Sequence, residues 1–394
     1  MYMKKIWLKP HKEAAVQRFH PWVFSGAIQR IEGDPVDGDE VQVLDSRGQF
    51  LAIGHYQTGS ITVRLLAYEP SPTDAAFWTH KLRRAFHYRQ QLGFHHSAHT
   101  NCYRLVHAEG DGLPGLIIDI YNRTAVIQCH SIGMHQARML ITQALLELYG
   151  GHLEAVYDKS AETLPERYAA TEANGYLHGM STQRIALEND HSFLVDWEGG
   201  QKTGFFLDQR DNRSLCAKYA KGKTVLNAFC YSGGFSIYAL QAGAVHVDSV
   251  DVSKKAIELV EQNVALNVTQ QERHRAYAAD VLPFLKNATG EYDLMIVDPP
   301  AFAKHLDKRH NAVQGYKRLN AMAMQKIKPG GILFTFSCSQ VVDEPLFYNT
   351  IVAAALESGR QARVMHRLSQ PPDHPVNCFH PEGAYLKGLV LYVE

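Results

Sequence analysis

The sequence predicts an α/β protein in three parts, and three patterns carry that prediction. Residues 1–72 hold short alternating strands punctuated by turn signals, the mark of a small β-barrel or sandwich. Residues 73–184 mix helix-period and strand-period runs, an α+β pattern. From 185 to 394 strand and helix patterns alternate, which implies a mostly parallel sheet with helices on both faces.

The elements follow in chain order. EVQVLD alternates as a strand, SRG turns, QFLAIGHY returns, and ITVRLLAY makes a third strand after it. AAFWTHKLRRAFHYRQQLGF has helical spacing, with Phe77, Leu82, Phe86 and Tyr88 on one side. GLIIDIY and TAVIQC read as two strands around the turn Asn122-Arg123, and HQARMLITQALLELYG as a helix stopped by Gly150-Gly151. AVYDKS is a further strand. In the last part KTVLNAFC, VHVDSVDVS, YDLMIVDPP, GILFTFSCS and GLVLYV are strands. FSIYALQAG, KKAIELVEQNVALN (Ser253 as N-cap), YKRLNAMAMQKIKPGG (with a Pro-Gly stop) and LFYNTIVAAALESG are helices.

The chain has 394 residues, 45% hydrophobic and 20% charged, an ordinary globular composition. Its 40 basic and 40 acidic side chains cancel, so no global charge draws it to nucleic acid or anionic membrane. No apolar run reaches the roughly 18 residues of a membrane-spanning helix, and Lys9-Pro10 interrupts the N-terminal apolar stretch. A cytoplasmic protein is expected. Six scattered cysteines with no CxxC pair argue against a disulfide framework or a structural metal site, so no metal is expected. The neutral total divides unevenly. Residues 79–107 carry Lys81, Arg83, Arg84, Arg89 and Arg104 with no acid. Residues 202–223 carry six bases against Asp208 and Asp211, and residues 303–328 seven against Asp307. Ten acids between Glu147 and Glu198 compensate. That division suggests a positive face for a polyanion.

In an open α/β sheet, ligands bind beyond the carboxyl ends of the strands. The first such end reads Asn227-Ala228-Phe229-Cys230-Tyr231-Ser232-Gly233-Gly234, where adjacent glycines allow close backbone approach before a helix N-terminus. It is not the G-x-G-x-x-G of a nicotinamide enzyme, which argues against an oxidoreductase. Asp251 ends the second strand, 18 residues after Gly233, in position to hydrogen-bond ribose hydroxyls. Asp280 ends the next unit, in reach of an exocyclic amine or as a simple helix cap. Asp298-Pro299-Pro300-Ala301-Phe302 is a rigid, donor-poor corner suited to a planar base edge. Ser337-Cys338-Ser339 ends the fifth strand, and a cysteine at that rim is a candidate nucleophile.

Together these residues resemble class I S-adenosylmethionine-dependent methyltransferases, and more closely the RlmI-like 23S ribosomal RNA (cytosine-C5) methyltransferases. The likeness spans nearly the whole chain. IWLKPHKEAAVQRFHPWVFSGAI with GQFLAIGHY resembles that family's RNA-binding PUA barrel, and RLVHAEGDGLPGLIIDIY its central domain. QKTGFFLDQRDNR, NAFCYSGGFS, SVDVS, DPPAF, FTFSCS and HPEGAYLKGL resemble the signatures of its Rossmann-like catalytic domain. The resemblance implies a PUA-like domain over 1–72, a central domain over 73–184 and a methyltransferase domain over 185–394. It implies S-adenosylmethionine as cofactor and 23S ribosomal RNA as partner. Phe205 would pack near the adenosine, and Asn227, Phe229, Tyr231 and Gly233 would line the methionine side. Asp251, with Ser253 in the same SVDVS signature, would hold the ribose, and Asp280 the adenine. Asp298 would bind there too and face the target base, with Cys338 as nucleophile, its thiol lowered by the nearby basic segments and the cofactor's sulfonium.

The chain departs from the wider RNA 5-methylcytosine group at Ala301, where that group commonly carries a second cysteine. This leaves open which group removes the C5 proton. Two other readings remain: an amino-methyltransferase on adenine N6 or guanine N2, disfavoured because Phe302 stands one place late, and a non-catalytic RNA-binding assembly factor.

Overall fold

A computed structural model describes residues 4–95, 97–288, 292–303 and 305–394. His96 of the histidine-rich stretch and Lys304 of the basic stretch lie outside the described residues. The chain forms two compact units. The first takes the chain up to Ala186, Val195–Leu207 and Pro372–Gly383; the second takes Leu187–Leu194, Asp208–Pro371 and Ala384–Glu394.

The first unit opens with β1 (Lys4–Leu8), α1 (Ala14–Gln17), β2 (Trp22–Phe24), β3 (Ile28–Glu32), β4 (Glu40–Leu44), β5 (Phe50–Tyr56) and β6 (Ile61–Ala67). The strands run β2-β6-β5-β4-β1-β3, all antiparallel except β1 with β4. Alternation sends Ile6, Leu8, Val41, Val43, Ala52 and Val63 inward, where none is exposed. Strand β1 was not read from the sequence, because KKIWL lacks a clean alternation and a flanking turn signal.

Next come α2 (Ala75–Gln91), β7 (Cys102–His107), β8 (Leu116–Tyr121), β9 (Thr124–Cys129), α3 (Ile132–Gln136), α4 (Arg138–Tyr149), β10 (Ala155–Asp158), α5 (Glu166–Ala169) and β11 (Gly175–His178). Their sheet runs β11-β10-β9-β8-β7, and Trp78, Leu82, Leu105, Ile118, Ile127 and Leu145 pack in one core against it. Asp74 caps α2 by accepting from the Phe77 amide at 3.0 Å. The buried stripe of α2 is Trp78, Leu82, Ala85, Phe86 and Arg89, whereas Tyr88 is exposed. Tyr88 lies off the 3.6-residue period that the stripe follows, which corrects its expected inward face.

A two-stranded ribbon follows, β12 (Ile185–Glu188) with β13 (His191–Leu194). The second unit then alternates α6 (Arg210–Ala220), β14 (Thr224–Ala228), α7 (Gly234–Gln241), β15 (His246–Asp251), α8 (Lys254–Asn267), β16 (His274–Ala278), α9 (Val281–Asn287) and β17 (Tyr292–Val297). It ends with α10 (Arg309–Lys326), β18 (Ile327–Ser337), α11 (Glu344–Ser358), β19 (Ala362–Leu368) and β20 (Lys387–Val393). The sheet order is β16-β15-β14-β17-β18-β20-β19. Its first five strands are parallel, and β20 is antiparallel to both neighbours. Leu226, Val250, Met295, Val297 and Leu333 fill the core beside it.

The stretches of α6, β16 and α9 are additions to the sequence reading, and two further differences have a plain physical cause. The Pro329-Gly330-Gly331 stop lies inside β18, after α10 has ended at Lys326. Gly330 turns at φ +79, and the register jumps from Tyr292↔Ile327 to Leu294↔Ile332, so the segment bulges out of a strand that continues past it. Strand β19 was missed because it is an edge strand with no fully buried residue to create an apolar alternation.

Candidate active site

The sheet of the second unit brings its functional residues to strand ends. β14 delivers the loop Phe229–Gly233, β15 delivers Asp251, β17 delivers Asp298, and β18 delivers Cys338. β14 lies between β15 and β17, with β18 on the far side of β17, and Val297, the last residue of β17, pairs with Thr335. Asp298 and Cys338 therefore leave neighbouring parallel strands at the same edge of the sheet.

The loop after β14 is held in an uncommon backbone shape. Phe229 and Tyr231 take φ +61 and +46, and Gly233 takes φ +79. Left-handed backbone at two bulky residues costs roughly 1–2 kcal/mol each, so the surroundings must impose it. They do: Cys230 N–H bonds to Val250 O at 3.1 Å, Gly233 N–H to Cys230 O at 2.8 Å, and Tyr231 N–H to Asp251 Oδ2 at 3.1 Å. The other Asp251 oxygen accepts from Ser253 N–H at 2.9 Å. Asp251 is thus aimed by backbone amides from two loops, and each oxygen keeps a lone pair for a further donor. Ser253 caps α8 through its hydroxyl, which accepts from the Ala256 amide at 3.2 Å.

Asn227 is buried and points into a polar ladder. Its Nδ2 donates to Ser236 Oγ at 2.8 Å, Ser236 contacts Ser249 Oγ at 2.7 Å, and Ser249 contacts His274 Nε2 at 2.8 Å. Asp280 is exposed and caps α9, accepting from Leu282 N–H at 2.9 Å. Beside it lies an open cavity of about 390 Å³ lined by Ala279, Pro283, Phe284, Asn287 and Tyr292. Phe205 belongs to the first unit, where it is buried and its carbonyl accepts from the Tyr121 hydroxyl at 3.3 Å.

At the β17–β18 edge the electrostatics are unusual. Burial pushes the Asp298 carboxyl up to about 7, helped by the Asp208 carboxylate and opposed by Gln209 and Arg213. Gln209 Nε2 donates to Asp298 Oδ2 at 3.0 Å, and Asn212 Nδ2 fixes Gln209 through Oε1 at 2.6 Å. Burial also pushes the Cys338 thiol up to about 11, with Asp298 and Asp208 adding to it, and with the Cys338 backbone amide and then Lys387 opposing. The sequence expectation of a thiol lowered by its basic surroundings is not met in the protein alone. The charges facing the sulfur are mostly negative. Gln209, Asp208 and Lys387 are not among the site residues the sequence picks out, although QKTGFFLDQRDNR and HPEGAYLKGL contain them.

A family model described as S-adenosylmethionine-dependent methyltransferase matches residues 144–391, and a PUA-like domain model matches residues 6–68. The ribosomal RNA large subunit methyltransferase I of Aeromonas hydrophila is 39% identical over 98% of both chains. That of Aeromonas salmonicida is 41% identical, again over 98% of both. The chain belongs to the ribosomal RNA large subunit methyltransferase I family. It is an S-adenosylmethionine-dependent enzyme with a PUA-like N-terminal domain. A solved structure from Streptococcus mutans, described as a SAM-dependent methyltransferase, shares the fold at a TM-score of 0.84 and 23% identity. It covers 98% of this chain and 99% of that one.

The donor set of this family member fits its cofactor. Asp251 offers two oriented carboxylate oxygens to a ribose diol, and Asp280 offers an acceptor beside an apolar wall of Pro283 and Phe284. Among the described residues one group of metal-ligating type occurs, His20, His380 and Glu382 in the first unit, with ligand atoms within 4.8 Å of one another. Nothing in the reaction below uses it.

The positive face suggested by segment charges is corrected in part. Arg89 pairs with Asp111 and Arg104 with Asp119 inside the first unit. Arg210 and Arg213 pair with buried Glu188, while Lys317 meets Glu357 and Lys328 meets Asp293. A count of charges along the chain does not show partners 15 or more residues away.

Proposed function

We propose that the chain methylates C5 of a cytosine in 23S ribosomal RNA, in the cytoplasm, through a covalent adduct of Cys338 with C6 of the base. The observation that carries this reading is the placement of Cys338 and Asp298 on adjacent parallel strand ends, next to the loop and carboxylates suited to the cofactor. The names of the relatives support ribosomal RNA as substrate. No helix among the described residues is long and apolar enough to cross a membrane. The site residues of the sequence reading form one proposal here. Asp251 with Ser253, Asp280 and the loop from Asn227 to Gly233 hold the cofactor, and the family resemblance adds Phe205 to that set.

S-adenosylmethionine, when bound, supplies a methyl group on a sulfonium that an electron-rich carbon can capture. Cytosine C5 becomes electron-rich once a thiolate adds to C6, forming the C6–S bond and placing the electron pair on the N3/O2 side. Asp298 suits the other half of that step. With a carboxyl titrating near neutrality, it can give its proton to N3 as the charge develops there. Departure of the C5 proton to a base then restores the C5–C6 double bond and expels Cys338, as N3 returns its proton to Asp298. The target base must leave its stack to reach such a pocket.

The first unit carries a cavity of about 630 Å³ suited to unpaired RNA. Phe19, Tyr68, Tyr88 and Phe379 line it together with Lys81 and Arg84. Aromatic faces beside cations are the usual platform for single-stranded bases. Phe19 is half exposed at φ +62, a strained placement for a phenylalanine.

The test is nucleoside analysis of large-subunit RNA incubated with the protein and S-adenosylmethionine. 5-Methylcytidine is expected. N6-methyladenosine or N2-methylguanosine would transfer the site to amino-group chemistry, and no methylated nucleoside would leave a binding role.

A further inference from the structure

Lys387 is a buried cation that the mechanism above does not use. It opens β20, directly opposite Ser337, the last residue of β18 before Cys338. It is 8% exposed. Its Nζ donates to the carbonyl oxygen of Ser339, the residue after Cys338, at 2.7 Å. Among the described residues no carboxylate lies within ion-pair distance of it. The turn it grips is tied elsewhere as well: Ser339 Oγ donates to Ala303 O at 2.7 Å, and Ser339 N–H to Ser337 Oγ at 3.3 Å.

An ammonium group taken out of water without a counter-ion is expensive, and a carbonyl dipole offsets only part of that penalty. A methionine or leucine would fill the same space without it. The position makes sense if a negative charge forms nearby during the reaction. The side chains of charge facing Cys338 are Asp298 after β17, Asp208 before α6 and Lys387 on β20. Tyr316 on α10 also senses Cys338 and Asp298, and Asp343 at the start of α11 acts on Lys387. Of these, Lys387 alone favours the thiolate.

We propose that Lys387 is the positioning residue that makes Cys338 a nucleophile, its ammonium serving as counter-ion to the thiolate while it holds the Ser337–Ser339 turn. Burial lowers the Lys387 ammonium while Cys338 and Asp343 hold it up, and it keeps its proton through the cycle. The proton leaving Cys338 passes to the Asp298 carboxylate, so the charge of the cluster is conserved as Asp298 becomes the neutral donor that N3 requires. The same cation then favours the sulfur as leaving group when the adduct collapses. This assignment rests on Cys338 as nucleophile: burial and two acids still hold the thiol up with Lys387 in place, and Lys387 is the side-chain charge that keeps it from rising further.

The test is the pH profile of iodoacetamide alkylation at Cys338, followed by mass spectrometry of its peptide in the full-length protein with S-adenosylhomocysteine bound. An opposite charge at contact range shifts a pKa by about 1–3 units. Lys387→Met is expected to move the midpoint up by about one unit or more, a tenfold slower alkylation at fixed pH. Lys387→Arg, which keeps the charge, should stay near wild type. Lys387→Gln keeps an N–H donor for Ser339 without the charge, and should behave like Lys387→Met should the latter not fold. Unchanged midpoints in folded, cofactor-binding Lys387→Met or Lys387→Gln protein overturn the proposal and leave Lys387 a structural clamp. Methyl transfer by Cys338→Ala would overturn the nucleophile reading instead, so the two failures are distinct.

Discussion

The core of the first unit and the β17–β18 edge of the second treat buried charge in opposite ways. In the first, Arg89 is wholly buried and wholly satisfied. It pairs with both oxygens of Asp111 and donates to Arg104 O at 2.8 Å and Asp373 O at 2.7 Å. Arg104 meets Asp119 with two bonds of 2.8 Å, and the Thr203 hydroxyl also donates to Asp119. In the second unit, the edge of β17 and β18 gathers Asp298, Asp208, Cys338 and Lys387 with no such pairing. One arrangement fixes a structure, because every charge has its partner at rest. The other leaves its partners to be supplied by a reaction.

That contrast can be broken or sharpened experimentally. The largest effect falls on the catalytic edge. Cys338→Ala should lose methyl transfer by about a thousandfold or more while binding S-adenosylmethionine, since loss of a covalent nucleophile leaves only binding and positioning. Retained turnover, scored by tritium incorporation into RNA, would erase the distinction. The next effect falls on the paired region. Arg89→Met leaves Asp111 buried without its partner, and should cost the first unit about 3–5 kcal/mol in denaturant unfolding. A change below about 1 kcal/mol would show that the paired charges are ornamental.

Asp298→Asn should separate stability from activity. The Asp298 carboxyl is raised to about 7 from an unfolded value near 4, so the folded state binds more protons across that window and stability falls as pH rises through it. Asparagine removes that penalty while still accepting from Gln209. The variant should melt a few degrees above wild type at pH 8, and the gain should vanish by pH 4. Methyl transfer should drop at every pH. The smaller effect is at Gly233. An added Cβ would sit 3.1 Å from Val260 Cγ1 at a φ of +79. Gly233→Ala should destabilise by about 1–2 kcal/mol and weaken cofactor binding, measured by calorimetry. The smallest is at the first-unit cavity: Arg84→Gln should raise KM for RNA a few-fold with kcat unchanged, and reduce its salt dependence.

The same contrast explains what the sequence discloses. Asp251, Asp298 and Cys338 are visible because each closes an apolar strand run, and a parallel sheet puts its ligands at those ends. Alternation likewise reveals β4 to β6 and the βα units of the second sheet. Partnerships across the fold are not visible. Arg89 and Asp111 stand 22 residues apart, and Lys387 stands 48 residues from Ser339. Neither distance follows any local period. The basic runs read as a nucleic-acid face were therefore partly internal ion pairs, and the thiol expected to be lowered by cations is raised by burial and acids. Local rules locate strand ends; the electrostatics at those ends depend on which segments the topology brings beside them.

Covalent trapping on RNA carrying 5-fluorocytidine tests the central claim most directly. Fluorine at C5 cannot leave as a proton, so elimination stalls with the sulfur still on C6. Wild-type protein with S-adenosylmethionine should give a denaturation-resistant protein–RNA band whose crosslinked peptide contains Cys338, and Cys338→Ala should give none. A band of equal intensity from Cys338→Ala, or methylation of ordinary RNA with no trapped band from wild type, would contradict the account.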